Sequence, residues 1–386
     1  MSDPLPSRPP GQQPDAGAPK HPGAHEPLAD ARGPDHLVRD GFTIFGSWEG
    51  LPKATDIIDS RQPYRYPIPR FLKRLRLKEW QAIEAGNDDW FLLAVLYDAK
   101  FITMAAVDIW NRKEKKKYGF RHIFLGSRFS FPHNFEFTES HATAGGDHLS
   151  IRLDPEMNFL GLRAFSQKRQ PLFSKGPTSG RKTLRESFDI DLKFDLSVGG
   201  CAPYFVCLPL GANRAMYSTK ILMPCSGKIE VAGREYAFDP SRASGILDDH
   251  KGYYPYRLHY DWVTAFGVDD FGRRLGFNLT DNQVKDQIRY NENRLWIDKA
   301  IYPLPPVKIT RPYGRESPWI IQDTEGMVDL IFHPEVSHDI QLKLGIAEID
   351  YAGPFGRFEG RLLSPEGESI DVSRLYGMGE DKSVRL

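Results

Sequence analysis

The sequence predicts an all-β, mainly antiparallel fold made of two β-barrel or β-sandwich halves, with few helices and a disordered N-terminal tail. Three observations lead to this class. Short runs alternate apolar with polar residues and end in Gly, Pro or Asp, as the strands of antiparallel meanders do. Long helical patterns are scarce. The chain has 386 residues, which exceeds one ordinary domain, so two compact units are expected.

The N-terminal segment, residues 1–40, is predicted to be a disordered tail. It holds nine of the 30 prolines together with Gly, Ala, Gln and His, and it has no apolar periodicity. Such a segment cannot bury enough apolar surface to offset the entropy that it would lose on ordering. Folded structure is therefore expected to begin at residue 41, with the run GFTIFGSWEG.

One short amphipathic helix is predicted near residues 70–85, within PIPRFLKRLRLKEWQAIEAG, which starts after a proline and stops at Gly86. Its apolar stripe consists of Phe71, Leu72, Leu75, Trp80 and Ile83, and its basic face consists of Arg70, Lys73, Arg74, Arg76 and Lys78. The stripe is expected to pack on a sheet. A basic amphipathic helix can also lie on a membrane surface, so peripheral contact through residues 70–78 is the alternative.

Strand patterns fill the rest of the chain. Residues 90–110 are predicted to form two strands around a turn at Asp98–Lys100. The other alternating runs are DHLSIRLDP, LRESFDIDLKFDLS, GKIEVAGREYAFDP, GRRLGFNLT, MVDLIFHPE, IQLKLGIAEIDYAG and GRFEGRLLSPEGESIDV. Two sheet-rich halves meet near residues 230–245. We therefore assign residues 41–235 to an N-terminal β-domain and residues 236–386 to a C-terminal β-domain.

The charge balance restricts the partners of the protein. Lys plus Arg equals Asp plus Glu, at 51 each, so no overall field attracts the chain to nucleic acid. No run approaches the roughly 18 to 20 apolar residues that span a bilayer, and the N-terminus lacks a secretion pattern. We therefore expect a cytoplasmic protein without a transmembrane segment.

The cysteines and the common motifs exclude several kinds of site. Cys201, Cys207 and Cys225 are odd in number and lack metal-ligand spacing, which argues against a disulfide scaffold or a structural zinc site. The sequence also lacks a Gly-rich phosphate loop, a Gly-x-Ser-x-Gly elbow and a His-Glu-x-x-His motif. We expect no metal and no cofactor.

The segment ILDDHKGYYPYRLHYDW, residues 246–262, concentrates acidic, histidine and tyrosine side chains. Residues two apart share a face of a strand, so His250 is expected on one face and Asp249 and Lys251 on the other. Adjacent aspartates followed by His and Lys bring opposite charges together, which can tune a carboxyl for proton transfer. Asp248, Asp249 and His250 are therefore candidate catalytic residues. A salt-bridged turn is the alternative.

The aromatic side chains of the same segment are candidates for the wall of a ligand cavity. With one lysine they form the set Lys251, Tyr253, Tyr254, Tyr256, Tyr260 and Trp262. A tyrosine-rich outer sheet face is the alternative, because tyrosine is a good strand former. The runs GFNLT and YNENRLWID add Asn278, Asn291, Glu292 and Trp296. Their Asn and Glu residues are poor strand-interior residues that form either turns or polar spots in a pocket wall.

Several blocks together resemble a known family. FGSWEGLP, LDDHKGYYPYRLHYDWVTAFG, GFNLT, YNENRLWID, LPPV, DTEGMVDLIFHPE, GPFGRFEG and YGMGEDK occur in this order over residues 41–386. They resemble the domain-of-unknown-function family 2804, whose label supplies no activity. More distantly, DDHKG, YDW and DDFGRRLGF are similar to patterns of the lipocalin-like group that includes carotenoid hydratases, AttH-type proteins and tocopherol cyclase.

The distant resemblance implies two lipocalin-like β-barrels with a lipophilic ligand held near their junction. Hydration or cyclisation of an alkene starts with protonation, which needs an acid kept protonated in an apolar place and aromatic rings around the cation. The resemblance makes Asp249 the acid and His250 the group that orients it or relays the proton.

Three functions follow from these features. The first is binding of a hydrophobic polyene, isoprenoid or lipid, with cofactor-independent hydratase, cyclase or isomerase chemistry on it. The second is a carrier or sensor that binds such a ligand without changing it, because a barrel pocket alone gives affinity. The third is a carbohydrate-active β-sandwich, which needs open aromatic platforms and two carboxylates about 5 to 10 Å apart.

Overall fold

The computed structural model describes residues 33–131, 134–167, 186–197, 201–282, 284–344 and 347–385. Residues 1–32 of the predicted tail lie outside this part. Within residues 33–40, Leu37 is fully buried against Ile57, Tyr217 and Tyr253. Described structure therefore begins before residue 41, where the sequence predicts its start.

The first half of the described chain forms one sheet and a small N-terminal hairpin. The hairpin pairs β1 (Val38–Arg39) with β2 (Phe42–Thr43), and a 3-10 helix follows at Ile57–Asp59. The thirteen described strands of the first sheet are β3 (Gly46–Glu49), β4 (Lys78–Gly86), β5 (Trp90–Asp98), β6 (Ile102–Asn111), β7 (Lys116–Leu125), β8 (Thr138–Ala144), β9 (Asp147–Asp154), β10 (Phe159–Ser166), β11 (Phe188–Asp195), β12 (Ala202–Gly211), β13 (Arg214–Val231), β14 (Arg234–Phe238) and β15 (Ser244–Gly252).

The second half forms another sheet. Its twelve described strands are β16 (Arg257–Val268), β17 (Arg274–Asp281), β18 (Arg294–Ile297), β19 (Ala300–Pro303), β20 (Lys308–Thr310), β21 (Trp319–Gln322), β22 (Val328–Val336), β23 (Ile340–Leu344), β24 (Ala347–Ala352), β25 (Phe355–Leu363), β26 (Ser369–Asp371) and β27 (Tyr376–Arg385). The sheets change between Gly252 and Arg257, later than the predicted division at residues 235 and 236. The division into two domains stays a prediction.

The neighbouring strands pair antiparallel, which confirms the predicted fold class. In the first sheet the main path runs β7-β6-β5-β4-β15-β13-β11-β10-β9-β8, and in the second it runs β19-β18-β17-β16-β27-β25-β22-β21-β20. One sheet forms a nearly closed barrel and the other a half-barrel. The turn predicted at Asp98–Lys100 joins β5 and β6, and Lys100 N–H donates to Asp98 Oδ1 at 2.5 Å.

Three of the apolar clusters lie within or between the sheets. One cluster belongs to the first sheet and contains Ile83 and Leu247, and a second belongs to the second sheet. The third lies between the sheets and draws residues from both. At its centre the Phe91 ring lies 4.9 Å from that of Phe355 and 5.7 Å from that of Phe266. The first sheet is therefore covered on both faces.

The predicted helix is wrong over its second half. Helix α1 spans only Arg70–Arg76, and Lys78–Gly86 is strand β4. Both faces of β4 are buried: Ala82 packs between the sheets, whereas Ile83 and Ala85 pack in the core of the first sheet. Because apolar residues occur on both faces, their sequence pattern lost the period of two that reveals a strand.

The apolar stripe of α1 does not pack on a sheet, contrary to the sequence-based expectation. Each residue of the helix is at least partly exposed, and Phe71 is 62% exposed. Membrane contact through residues 70–78 stays a prediction. No helix in the described ranges is both long and apolar enough to cross a membrane.

We predict that Gly377→Ala destabilises the second sheet. A Cβ atom at Gly377 would lie 1.9 Å from the carbonyl oxygen of Thr264 on the paired strand β16. The backbone of β16 would have to shift to make room, which would disturb its hydrogen bonds to β27. Overpacking of this kind lowers the free energy of unfolding by about 1–3 kcal/mol or more. Urea unfolding followed by circular dichroism measures the change.

The control is Gly211→Ala, whose added Cβ would meet only Arg214 Cβ, at 3.3 Å. The free energy of unfolding of this control is expected to fall by about 0.5 kcal/mol or less. Equal unfolding midpoints for the two variants would show that the approach of β27 to β16 is not as tight as described.

Candidate functional site

Strand β15 carries the candidate acidic and basic residues on two opposite faces. Asp248 and His250 face the space between the two sheets, whereas Asp249 and Lys251 face the interior of the first sheet. The strand pairs with β13 on one edge and β4 on the other, so that Asp248 lies opposite Lys220 and Ala82. The alternation is the one that the sequence predicts for a strand.

A chamber lies between the sheets on the Asp248 face. The volume of the chamber is about 140 Å³. A single water needs roughly 10–15 Å³ of such space. Both sheets line it, and the wall includes Leu93, Met104, Met216 and Ile349. Ile123 also lines the chamber and is 52% exposed, so the chamber opens to the surface there.

A buried charged cluster projects into this chamber. Lys220 Nζ donates to Asp248 Oδ1 at 2.7 Å and lies 3.8 Å from Glu292 Oε2. His250 Nε2 lies 2.8 Å from the same Asp248 oxygen, and Thr280 Oγ1 donates to Glu292 Oε1 at 2.9 Å. The Lys220 ammonium therefore lies between the carboxyls of Asp248 and Glu292, which supply the opposite charge that a buried lysine requires.

The cluster fixes the protonation of its members. Burial opposes ionisation of Asp248, but the His250 ring and the Lys220 ammonium, which both contact and hydrogen-bond to it, hold its pKa below its usual value. Burial likewise opposes the charged form of Lys220, and Asp248 and Glu292 outweigh it, so that the pKa of Lys220 is raised. Asp248 is therefore a carboxylate beside a lysine ammonium.

Glu84 is the contrasting carboxyl in the same chamber. It lies on β4, is 1% exposed, and its Oε2 has no hydrogen-bond partner among the described residues. Burial raises the pKa of Glu84 well above its usual value, and the charge of Asp248 adds to the effect. The neutral form of Glu84 is therefore favoured.

Aromatic rings surround the polar groups. The Trp80 ring stacks on His250 with centroids 4.3 Å apart and on Tyr254 with centroids 5.7 Å apart. Lys220 Nζ lies 5.1 Å from the Trp262 ring centroid. His250 Nε2 faces Asp248, and its Nδ1 has no hydrogen-bond partner among the described residues. The Nε2–H tautomer inferred from these contacts leaves Nδ1 able to accept a proton.

The chamber brings together one part of the predicted site. The predicted residues that line it are Asp248, His250, Tyr254, Tyr260, Trp262 and Glu292. Asn278 supports the wall from behind, since it accepts from Trp262 Nε1 at 2.6 Å and donates to the carbonyl of Glu292 at 2.8 Å. The roles of all these residues in binding or catalysis stay predictions.

The other predicted site residues lie outside the chamber. Lys251 donates to Thr55 Oγ1 at 2.8 Å, and Tyr253 packs with the N-terminal segment. Tyr256 is 48% exposed. The Trp296 indole N–H donates to the carbonyl of Ala202, and the Asn291 amide donates to that of Gln287, both at 2.9 Å.

Asp249, the predicted acid, also lies outside the chamber. Its Oδ2 accepts a hydrogen bond from Gln81 Nε2 at 2.8 Å inside the first sheet. Because adjacent residues of a strand point to opposite faces, Asp249 and His250 cannot both face the same ligand. The pairing of these two residues in one mechanism is therefore corrected, and Asp248 is the aspartate beside His250.

Sequence reasoning missed most of the partners of the cluster. Trp80 and Glu84 lie in the stretch predicted as helix, and Lys220 lies in the strand run STKILM. A lysine within a run of buried strand residues was a usable signal, because buried lysines need a partner. The second sheet contributes Tyr351, Glu380 and Lys382, which no local pattern connects with residue 248.

Among the described residues, one group has the geometry to hold a metal ion. His259, Asp261 and Asp381 place ligand atoms within 4.8 Å of one another. Arg311 contacts both carboxylates, at 2.7 Å to Asp261 and 3.3 Å to Asp381. The guanidinium already compensates these acids, so the group is an ion-pair network. The expected absence of a metal stays a prediction.

The fold and the chamber define an all-β protein with an internal site between two antiparallel sheets. The chain belongs to the family Domain of unknown function (DUF2804), whose model matches residues 60–386. The resemblance to this family that the sequence blocks indicate is thereby confirmed.

Two solved structures are similar to this chain at low identity. Kievitone hydratase from Nectria haematococca is 14% identical with a TM-score of 0.44, and the match covers 80% of this chain and 88% of that one. CghA, in a structure with Sch210972, is 10% identical with a TM-score of 0.44, and the match covers 92% and 97%. Among curated proteins, no sequence matches the chain.

The buried Asp249 gives a testable pH dependence. Burial raises the pKa of Asp249 from 3.8 to about 6, against the opposing effects of Lys251 and Gln81. Between about pH 4 and pH 6 the native state keeps a proton that the unfolded state has lost, so this residue lowers stability as the pH rises. Between pH 4 and pH 7, the free energy of unfolding of Asp249→Asn should therefore fall by up to about 3 kcal/mol less than that of the wild type.

Urea unfolding at a series of pH values measures this difference. The control is Glu316→Gln at an exposed position, which is expected to follow the wild-type profile. Parallel profiles for Asp249→Asn and the wild type would mean that Asp249 is not a buried, perturbed carboxyl.

Proposed function

We propose that this protein binds a lipophilic small molecule between its two sheets and catalyses proton transfer to and from it, as a hydratase, cyclase or isomerase does. The observation that carries the proposal is Glu84. Its carboxyl, whose neutral form burial favours and whose Oε2 has no described hydrogen-bond partner, opens onto a largely apolar chamber beside the Asp248 carboxylate and the His250 ring. Such separation of protonation states assigns an acid and a base.

Glu84 is the proton donor in this proposal. Its proton passes to one carbon of a carbon–carbon double bond, the π electrons form the new C–H bond, and the neighbouring carbon becomes a cation. The rings of Trp80, Tyr254 and Trp262 line the same chamber, and their faces stabilise positive charge. The apolar walls keep the acid protonated until the ligand arrives.

His250 is the base. Its Nδ1 takes a proton either from a carbon next to the cation, which forms a new double bond, or from a water whose oxygen bonds to the cation. Asp248 orients the ring through Nε2 and stabilises the imidazolium that forms, while Lys220 holds Asp248 in place. Proton exchange with solvent then restores neutral Glu84 and neutral His250.

A carrier or sensor without catalysis is the second candidate. The largely apolar wall, which includes Leu93, Val95, Met104 and Ala106, favours it because such a wall gives affinity without chemistry. The carbohydrate alternative has less support. The aromatic rings of Trp80, Tyr254 and Trp262 line an internal chamber and do not form an open platform.

Deuterium incorporation tests the catalytic proposal. Solvent extraction and mass spectrometry of the purified protein should identify a lipophilic ligand, and incubation of that ligand with the protein in D₂O should add deuterium to carbon. Glu84→Gln keeps the size and neutrality of the side chain but removes the acidic proton. It should therefore slow incorporation by about 10²–10⁴-fold, the usual contribution of a general acid, with little loss of stability.

The matched control is Asp249→Asn, which alters a buried carboxyl on the opposite face of the sheet and should leave incorporation unchanged. Full incorporation by Glu84→Gln would remove Glu84 from the acid role. A ligand that stays unlabelled with the wild-type protein would instead support the carrier.

A further inference from the structure

Another lysine of the chamber wall, Lys382, is half-buried where the two sheets meet. On β27 it is paired directly with Tyr260 of β16 and Tyr351 of β24, while Trp80 and Tyr97 are paired with each other on the first sheet. Cross-strand partners share a face, so the register alone brings the two tyrosines of the second sheet to Lys382. Packing of the sheets adds the two rings of the first.

The ammonium of Lys382 is surrounded by these four rings. Nζ lies 5.0 Å from the Trp80 ring centroid, 5.3 Å from that of Tyr97, 5.4 Å from that of Tyr260 and 5.8 Å from that of Tyr351. All four distances are within the range of cation–π attraction. The rings hold the ammonium in place but bring no negative charge.

Carboxylates do not compensate Lys382 as they compensate Lys220. The nearest acid on the same face of its strand, Glu380, accepts from Tyr351 at 2.6 Å and from Tyr260 at 3.1 Å, so both oxygens have donors. Within the described ranges, no carboxylate oxygen lies within 4.0 Å of Lys382 Nζ, whereas Lys220 has two such partners. Burial lowers the pKa of Lys382, which Glu380 and Asp248 only partly oppose.

A small recess beside the chamber extends this positive site. Its lining includes Lys382, Lys78 and Arg76, and none of the described residues that line it carries a carboxylate. The recess shares Trp80, Tyr97, Tyr254 and Leu258 with the chamber, so that one ligand can occupy both. Lys78 Nζ donates to the carbonyl of Ala99 at 2.5 Å, and the Arg76 guanidinium lies 5.6 Å from the Tyr64 ring centroid. These two side chains add positive charge to the lining, and Lys382 is the cation that a compact oxygen anion would contact.

We propose that the ligand of this protein is a lipophilic carboxylic acid, whose carboxylate binds Lys382 in this recess and whose hydrocarbon part lies in the chamber. This inference rests on the proposed function, since it needs a lipophile in the chamber. It adds the polar end of the ligand and its orientation. The carboxylate supplies the charge that Lys382 lacks, and the chain extends towards Glu84 and His250 on the chamber wall.

A matched pair of fluorescent probes tests the proposal. cis-Parinaric acid and its methyl ester share one polyene chain and differ only in the charge. The wild-type protein should bind the acid at least about tenfold more tightly than the ester, as expected for a charged hydrogen bond. Lys382→Met keeps most of the side-chain volume and should bring the two affinities within about twofold of each other, with the affinity for the ester unchanged.

Two further variants separate charge from folding. Lys382→Arg keeps the cation and should retain preference for the acid, whereas Lys299→Met at an exposed position should match the wild type. Equal binding of acid and ester by the wild type, or an unchanged preference in Lys382→Met, would contradict the carboxylate site but not the lipophile-binding function. Binding of neither probe would contradict the lipophile-binding function as well as the carboxylate site.

Discussion

Strand β15 is paired on both edges and covered on both faces, so each of its residues from Ser244 to Gly252 is buried. Two aspartates, a histidine and a lysine on such a strand are stable only if each charge meets a partner or is neutralised. Lys220 on β13 supplies the partner of Asp248, and Gln81 on β4 supplies that of Asp249. The site between the sheets is built around this requirement.

Two of the carboxyls that line the chamber, Asp248 and Glu84, meet this requirement in opposite ways. Asp248 keeps its charge because the Lys220 ammonium and the His250 ring contact it directly. Glu84 has no such contact, and burial together with the charge of Asp248 raises its pKa well above the usual value. Ionisation of one therefore disfavours ionisation of the other. This coupling favours different protonation states for two carboxyls in one largely apolar space.

The lysines of the chamber differ in the same manner. Lys220 is enclosed by carboxylates and contributes to a closed cluster, while Lys382 is enclosed by rings and keeps its charge available. The two parts of the space are therefore chemically distinct: in one the lysine contacts carboxyls, and in the other it is surrounded by aromatic rings. A ligand with one polar end would be bound in one direction only.

Much of the fold and part of the site follow from local patterns. The alternation of β15 predicts that Asp249 and His250 lie on opposite faces, and the runs after residue 90 predict antiparallel strands with a turn at Asp98–Lys100. The same patterns failed for β4, because burial on both faces removed its alternation and made it look helical. They also could not show which face of β15 meets the chamber, since both faces are buried.

The sequence by itself determined the β class, most of the strands, the family and the segment that carries Asp248 and His250, because these depend on local alternation and on residues that are neighbours in the chain. Only the tertiary structure decided that Glu84, Lys220 and Lys382 join them. These residues lie on strands β4, β13 and β27, and pairing and sheet packing bring strands together that are far apart in sequence. The protonation of each group depends on those distant neighbours.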